Sequence, residues 1–198
     1  MPARLFAVFL LLTTAGCPKP RCEAGFIGDP ALEPEGVLLY TNGADKQLHE
    51  LAPNGTLPLM PPPQGGYVVY VAAKVKNLDA CGIEFAGRFR DPTTGNEQGF
   101  DARSTTLLRK DDGYGWPNID DNSNFSNVNP CPDYGPRDVH GQRWKFELTA
   151  TDRGGRRLRL TADTLLTCQH MDPTLQADCI CTCSANYFLG KCNFNPDL

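Results

Sequence analysis

The sequence predicts an all-β protein built from short antiparallel strands. Three observations carry this expectation. Apolar and polar residues alternate at a period of two in several segments, Gly, Asn and Asp turn signals separate those segments, and no stretch shows a capped apolar stripe at helical spacing. With 19 Gly and 17 Pro in 198 residues, the chain is punctuated too often for long helices.

The elements follow in order. "VLLYTNGAD" is apolar and breaks at Asn42-Gly43, a hairpin signal, and "PNG" at 53–55 is a second break. "YVVYVAAKVKN" sets Val69, Val71, Ala73 and Val75 on one face and Tyr70, Lys74 and Lys76 on the other. "IEFAGRFR" repeats the rule, with Ile83, Phe85, Gly87 and Phe89 inward and Glu84, Arg88 and Arg90 outward. "KFELTATD" points Phe146, Leu148 and Ala150 inward, and "RRLRLTADTLL" does the same with Leu158, Leu160 and Ala162. "DRGG" at 152–155 joins these last two as a hairpin. Seven or eight strands spaced by turns fit an antiparallel immunoglobulin-like β-sandwich over residues 36–167, with a small closed barrel as the alternative. The outward Lys74, Lys76, Arg88, Arg90, Arg157 and Arg159 read as a solvated face that discourages edge pairing, or else as a surface contacting lipopolysaccharide.

Ahead of the strands, Arg4 precedes the apolar run Leu5–Leu12, and small residues follow, which is the build of a secretory signal over residues 1–16. Eight apolar residues are too few for a membrane span, which needs about 18 or more. The run ends in "TAGC", which resembles the lipobox of bacterial lipoproteins through Ala15, Gly16 and Cys17, while Thr14 departs from the usual Leu. The resemblance implies cleavage before Cys17 and lipid on its sulfur and amino group. Each buried methylene contributes roughly 0.8 kcal/mol, so several acyl chains would anchor the protein stably. Cleavage after Ala15, releasing a free secreted protein, is the alternative. Residues 17–35 hold Pro18, Pro20, Pro30 and Pro34 and read as a tether.

"PLMPPPQGGYVVYVAAKVKNLDACG", "FRDPTTGNEQGFDARSTTLL", "NPCPD" and "TDRGGRRLRL" together resemble a group of Gly/Pro-rich bacterial envelope lipoproteins without an assigned activity. The "PPQGGY" turn before a Val-rich strand is the most distinctive piece. The resemblance implies an Ig-like sandwich on the cell envelope, lipid-anchored and in the outer membrane.

Nine cysteines point to an oxidising compartment. Once Cys17 is assigned to lipid, Cys22, Cys81, Cys131, Cys168, Cys179, Cys181, Cys183 and Cys192 remain, enough for four disulfides of open connectivity. Cys179, Cys181 and Cys183 would share one face of a strand and stand too close to bridge one another, so each is expected to reach a different partner among the other five. The Cys-rich segment 168–198 is poor in aliphatic residues, which suits covalent staples. Its alternative is a zinc site of cysteines with His170.

Residues 110–142 form a long connection carrying Tyr114, Trp116, Phe125 and Tyr134 among Asp, Asn and Gly. Tyr114, Trp116 and Tyr134 are candidates for stacking on a ligand such as a sugar. The alternative is that the rings lie down and cap the end of the fold. Asp120, Asn122 and Asn124 alternate as at the start of a calcium loop, but Phe125 stands where glycine is required and no glutamate closes the loop, so Asx-turns account for the same residues.

His49, His140 and His170 fit no metal-protease spacing, and no nucleophile elbow or phosphate loop is present, so no catalytic residue, metal or cofactor is expected. A net charge of −4 argues against a nucleic-acid partner. The expected function is a lipid-anchored binding or interaction module of the cell envelope with a protein or glycan partner, and not an enzyme. Its rivals are a purely structural envelope scaffold and a carbohydrate-active accessory protein.

Overall fold

The computed structural model describes residues 22–43 and 45–192. The signal segment, Cys17 and the tether up to residue 21 lie outside the described residues. In chain order the strands are β1 (Phe26–Ile27), β2 (Glu35–Thr41), β3 (His49–Glu50), β4 (Thr56–Leu59), β5 (Tyr67–Lys76), β6 (Leu78–Asp79) and β7 (Cys81–Arg90). They continue with β8 (Glu97–Thr106), β9 (Leu108–Arg109), β10 (Gly115–Trp116), β11 (Ser126–Cys131), β12 (Arg143–Thr151) and β13 (Arg157–Cys168). A 3-10 turn at Asn122–Asn124 precedes β11, and α1 (Pro173–Thr182) follows β13.

One sheet runs β3-β2-β5-β10-β9 with β11 also on β5, a second runs β4-β13-β12-β7-β8, and β1 pairs with β6. Every pairing is antiparallel except β4 with β13. The protein is therefore mostly antiparallel β, as the alternation predicts. Ile83, Phe85, Phe89, Phe146, Leu148 and Ala150 are buried between the sheets. Gly87 lies inward without a side chain because Ser126 and Val128 of the facing β11 occupy that space: a Cβ there would fall 2.6 Å from the Ser126 oxygen. Several of the outward charges are paired, Arg88 with Glu97 and both Arg90 and Arg159 with Glu147.

The two sheets curl toward each other on one side. β11 belongs to the first sheet but is stitched to β8 of the second: the Ser126 hydroxyl donates to the Asp101 carbonyl at 2.9 Å, and the Gln98 amide to the Pro130 carbonyl at 2.9 Å. On the opposite side β2 meets β13 at Gly36, where a Cβ would lie 2.8 Å from the Leu158 side chain. Farther along that side a groove separates the edges.

Four local expectations change. Residues 22–35, read as part of a tether, contain β1, whose Ile27 is fully buried, and Cys22 is bonded to Cys81. The break at Asn42-Gly43 joins β2 to β3 through a connection longer than a two-residue turn, since Tyr40 pairs with His49. Tyr70, expected outward, is 7% exposed, because the chain between β10 and β11 returns over that face and brings Asn122 to its hydroxyl. The cysteine tail is helical, not extended: Asp172 caps α1 by accepting from the Thr174 and Leu175 N–H groups, and Pro173 opens it. The i,i+4 spacing then places Cys179 and Cys183 side by side, both fully buried. Among the described residues, no helix is long and apolar enough to cross a membrane.

Candidate binding site

The candidate ligand-stacking residues occupy two separate places. β10 sets Gly115 opposite Val75, which lays Tyr114 and Trp116 beside the lysines of β5. Lys74 Nζ stands 4.9 Å from the Trp116 ring and 5.5 Å from that of Tyr114, and Lys110 Nζ is 4.1 Å over Trp116. The indole N–H donates to Asp112 at 2.9 Å, and Lys74 also pairs with Glu50. Lysines and a carboxylate thus already occupy this aromatic surface. Tyr134 is elsewhere, 71% exposed and in edge contact with Tyr187 at 5.9 Å.

A polar groove of about 420 Å³ lies where the Pro62–Gly65 part of the "PPQGGY" turn, β5, β8 and β11 meet. Its polar lining comes from Gln64, Tyr70, Asp101, Arg103, Asn122 and Asn127, with Asn129 at the rim. Alternation along β8 turns Asp101 and Arg103 to the same side, and the Arg103 Nε–H donates to both carboxylate oxygens of Asp101, at 3.0 and 3.1 Å. Asp101 also accepts the Asn127 backbone N–H at 2.8 Å, so it is anchored from two strands. Burial raises the pKa of the Tyr70 phenol, and the Arg103 charge and the hydrogen bond with Asn122 only partly oppose this, so the phenol stays protonated. The Asn127 side-chain amide, turned with its nitrogen toward the Phe125 and Asn122 carbonyls, is held as well. Donors and acceptors are therefore oriented before any ligand arrives. Of this lining the sequence singles out the "PPQGGY" turn, Tyr70 as an outward strand residue and Asn122 as part of a calcium-like run; Asp101 and Arg103 were missed, and the alternation in "GFDARSTT" was the signal for them.

Around Asp120, Asn122 and Asn124 the local hydrogen bonds include those of Asx-turns. The Asn118 side chain accepts the Asp120 N–H, Asp121 caps the 3-10 turn through the Ser123 N–H, and the Asn124 side chain donates to the Asn118 carbonyl. The hydrogen bond from the Ser123 N–H holds the Asp121 carboxyl below the usual range.

The eight cysteines from Cys22 onward form the disulfides Cys22–Cys81, Cys131–Cys183, Cys168–Cys179 and Cys181–Cys192. Each of the three closely spaced cysteines thus reaches a different partner. The sulfurs of Cys168, Cys179 and Cys183 lie within 4.8 Å of one another, but they belong to two disulfides and are not thiolates that would ligate zinc. His170 stacks near Tyr67, whose hydroxyl donates to Asp178 at 2.7 Å. Burial and that carboxylate push the Tyr67 phenol up, so it remains a proton donor to α1.

No known protein family, curated protein or solved structure matches the chain.

Proposed function

We propose that the protein is a lipid-anchored, extracytoplasmic binding module of the bacterial cell envelope, and that the polar groove between the "PPQGGY" turn, β8 and β11 takes an oligosaccharide. The observation that carries the reading is the groove's lining: four amide side chains, a phenol and an anchored Asp–Arg pair around about 420 Å³, a volume in the range of small-molecule sites. Sugar hydroxyls need paired donors and acceptors at defined spacings, which planar amides and a carboxylate–guanidinium pair supply, the Arg103 Nη groups making no bond to Asp101. Hydrolysis of a glycosidic bond ordinarily uses two carboxyl groups across the bond. Among the described residues Asp101 is the one carboxylate lining this groove, and Arg103 and the Asn127 N–H already engage it, which favours binding over catalysis.

Four disulfides favour an oxidising compartment outside the cytoplasm. "TAGC" supports attachment at Cys17, and the likeness to Gly/Pro-rich envelope lipoproteins supports an outer-membrane address. Two mostly antiparallel sheets facing across one core support the Ig-like sandwich as the architecture of the module.

The test is a glycan array of envelope polysaccharide fragments probed with the detergent-solubilised full chain. Wild-type protein is expected to bind, and Arg103→Ala to lose at least tenfold in affinity, the equivalent of about 1.4 kcal/mol. Absence of binding by wild type, or equal binding by the variant, overturns the glycan site. Separately, Cys17→Ala should move the protein from the membrane to the soluble fraction, and unchanged partition with membranes overturns the anchor.

A further inference from the structure

β13 has one half-covered edge. Residues 157–165 pair with β12 on one side, whereas β4 pairs only with Leu165–Cys168 on the other. Among the described residues, no strand covers that edge from 157 to 164. The Leu165 N–H donates to the Gly55 carbonyl on the β4 side, so by the two-residue period the peptide groups of Arg157, Arg159, Thr161 and Asp163 face the open edge. Leu158, Leu160 and Ala162 point toward the core but are half-buried. Leu160 and Ala162 border the groove of about 500 Å³ that Leu38 and Leu51 line from the other side.

We propose that this edge binds a second copy of the same chain, β13 against β13, in an antiparallel register centred on Leu160. The edge is complementary to itself in that arrangement. Arg157 faces Asp163 of the second copy at both ends, Arg159 faces Thr161, Leu158 faces Ala162 and Leu160 faces Leu160. The pairs 157/163 and 159/161 are those whose peptide groups point outward, so the hydrogen-bond parity agrees with the charge pairing. Among the described residues, neither Arg157 nor Asp163 has an ion pair in its own chain, whereas Arg159 is held by Glu147.

Other registers are worse. A parallel pairing in register sets Arg157 on Arg157 and Asp163 on Asp163. Sliding the antiparallel pair one way sets Arg159 on Arg159, and sliding it the other way, to a register centred on Thr161, sets Asp163 against an Arg159 that Glu147 already holds and moves Arg157 opposite Leu165, which β4 covers. Like charges directly opposite one another destabilise a strand pair. In the favoured register the apolar side chains of each copy sit over the other's groove, and the two five-stranded sheets become one continuous sheet across a two-fold axis.

The test uses the full chain in native membranes. Leu160 lies on the axis in a non-hydrogen-bonded pair, whose Cα atoms are about 4.5 Å apart, a distance that admits a disulfide. Leu160→Cys is therefore expected to give a disulfide-linked dimer on a non-reducing gel, and Ala162→Cys to give none. Adding Asp163→Arg to Leu160→Cys should abolish the link, and adding Arg157→Asp as well should restore it. Because a new cysteine can disturb native disulfides, sedimentation of the detergent-solubilised chain with Leu160 intact gives an independent readout: dimer for wild type, monomer for Asp163→Arg, dimer again for the double charge reversal. A monomeric wild type, or a dimer that Asp163→Arg leaves unchanged, overturns the proposal.

Discussion

Glu147 stands on the outer face of β12, yet its side chain is only 7% exposed. Burial by itself raises its pKa. The hydrogen bond and charge of Arg159, 2.7 Å away, and those of Arg90 at 3.4 Å outweigh that effect and hold the carboxyl below the usual glutamate range. A depressed folded-state pKa stabilises the fold above the unfolded glutamate range, and that contribution disappears as pH falls through the folded value. Both arginines reach solvent, so the contribution is modest. Glu147→Gln is expected to cost about 1 kcal/mol at neutral pH. Urea denaturation of both proteins at neutral pH and again at a pH low enough to protonate glutamate checks this: the gap should be present in the first and closed in the second. A pH-independent gap would assign the loss to packing instead of charge.

At the scale of elements, the close approach of β7 to β11 depends on Gly87. Alanine there drives a Cβ to 2.8 Å from Val128 as well as against Ser126, so the sheets must separate locally. Gly87→Ala is expected to destabilise by about 1–3 kcal/mol, read as a lower urea midpoint at unchanged slope. The inward position of Gly87 was legible in the sequence because period-two alternation is local, and so were Phe85, Phe89, Phe146 and the "DRGG" hairpin between β12 and β13. Tyr70 followed the same alternation, and its burial was not legible. The chain that covers it lies some fifty residues downstream, and no local pattern records that return. The polar groove was hidden for a like reason, since Tyr70, Asp101 and Asn127 come from β5, β8 and β11 and meet only where β11, paired with β5, is also hydrogen-bonded to β8 of the other sheet. α1 was a different kind of miss. Asp172-Pro173 is a sound start signal, but the helix lacks an apolar stripe because disulfides do much of the work that apolar packing does elsewhere.

Across the whole molecule, the four disulfides differ in reach. Cys22–Cys81 and Cys131–Cys183 span 59 and 52 residues, whereas Cys168–Cys179 and Cys181–Cys192 each span 11. The long pair ties the N-terminal β1 segment to the start of β7, and α1 to the end of β11. The short pair fastens α1 to β13 and to the chain just beyond it. In the chain-entropy account, restricting the unfolded chain contributes roughly 4 kcal/mol for a loop of the longer size and roughly 3 for one of the shorter. The local environments widen the difference. Cys131 and Cys183 lie in the buried core, whereas Cys181–Cys192 lies toward the partly exposed end of the described chain. Replacing both cysteines of one disulfide at a time, so that no free thiol remains to scramble the others, should therefore rank the variants. The Cys131→Ser, Cys183→Ser pair is expected to lower the thermal midpoint most, because it also leaves two hydroxyls buried without assured partners. The Cys181→Ser, Cys192→Ser pair is expected to lower it least. Calorimetry of the four double variants under non-reducing conditions gives the order, and a larger loss at Cys181–Cys192 than at Cys131–Cys183 would mean that the C-terminal end, not the core, limits stability.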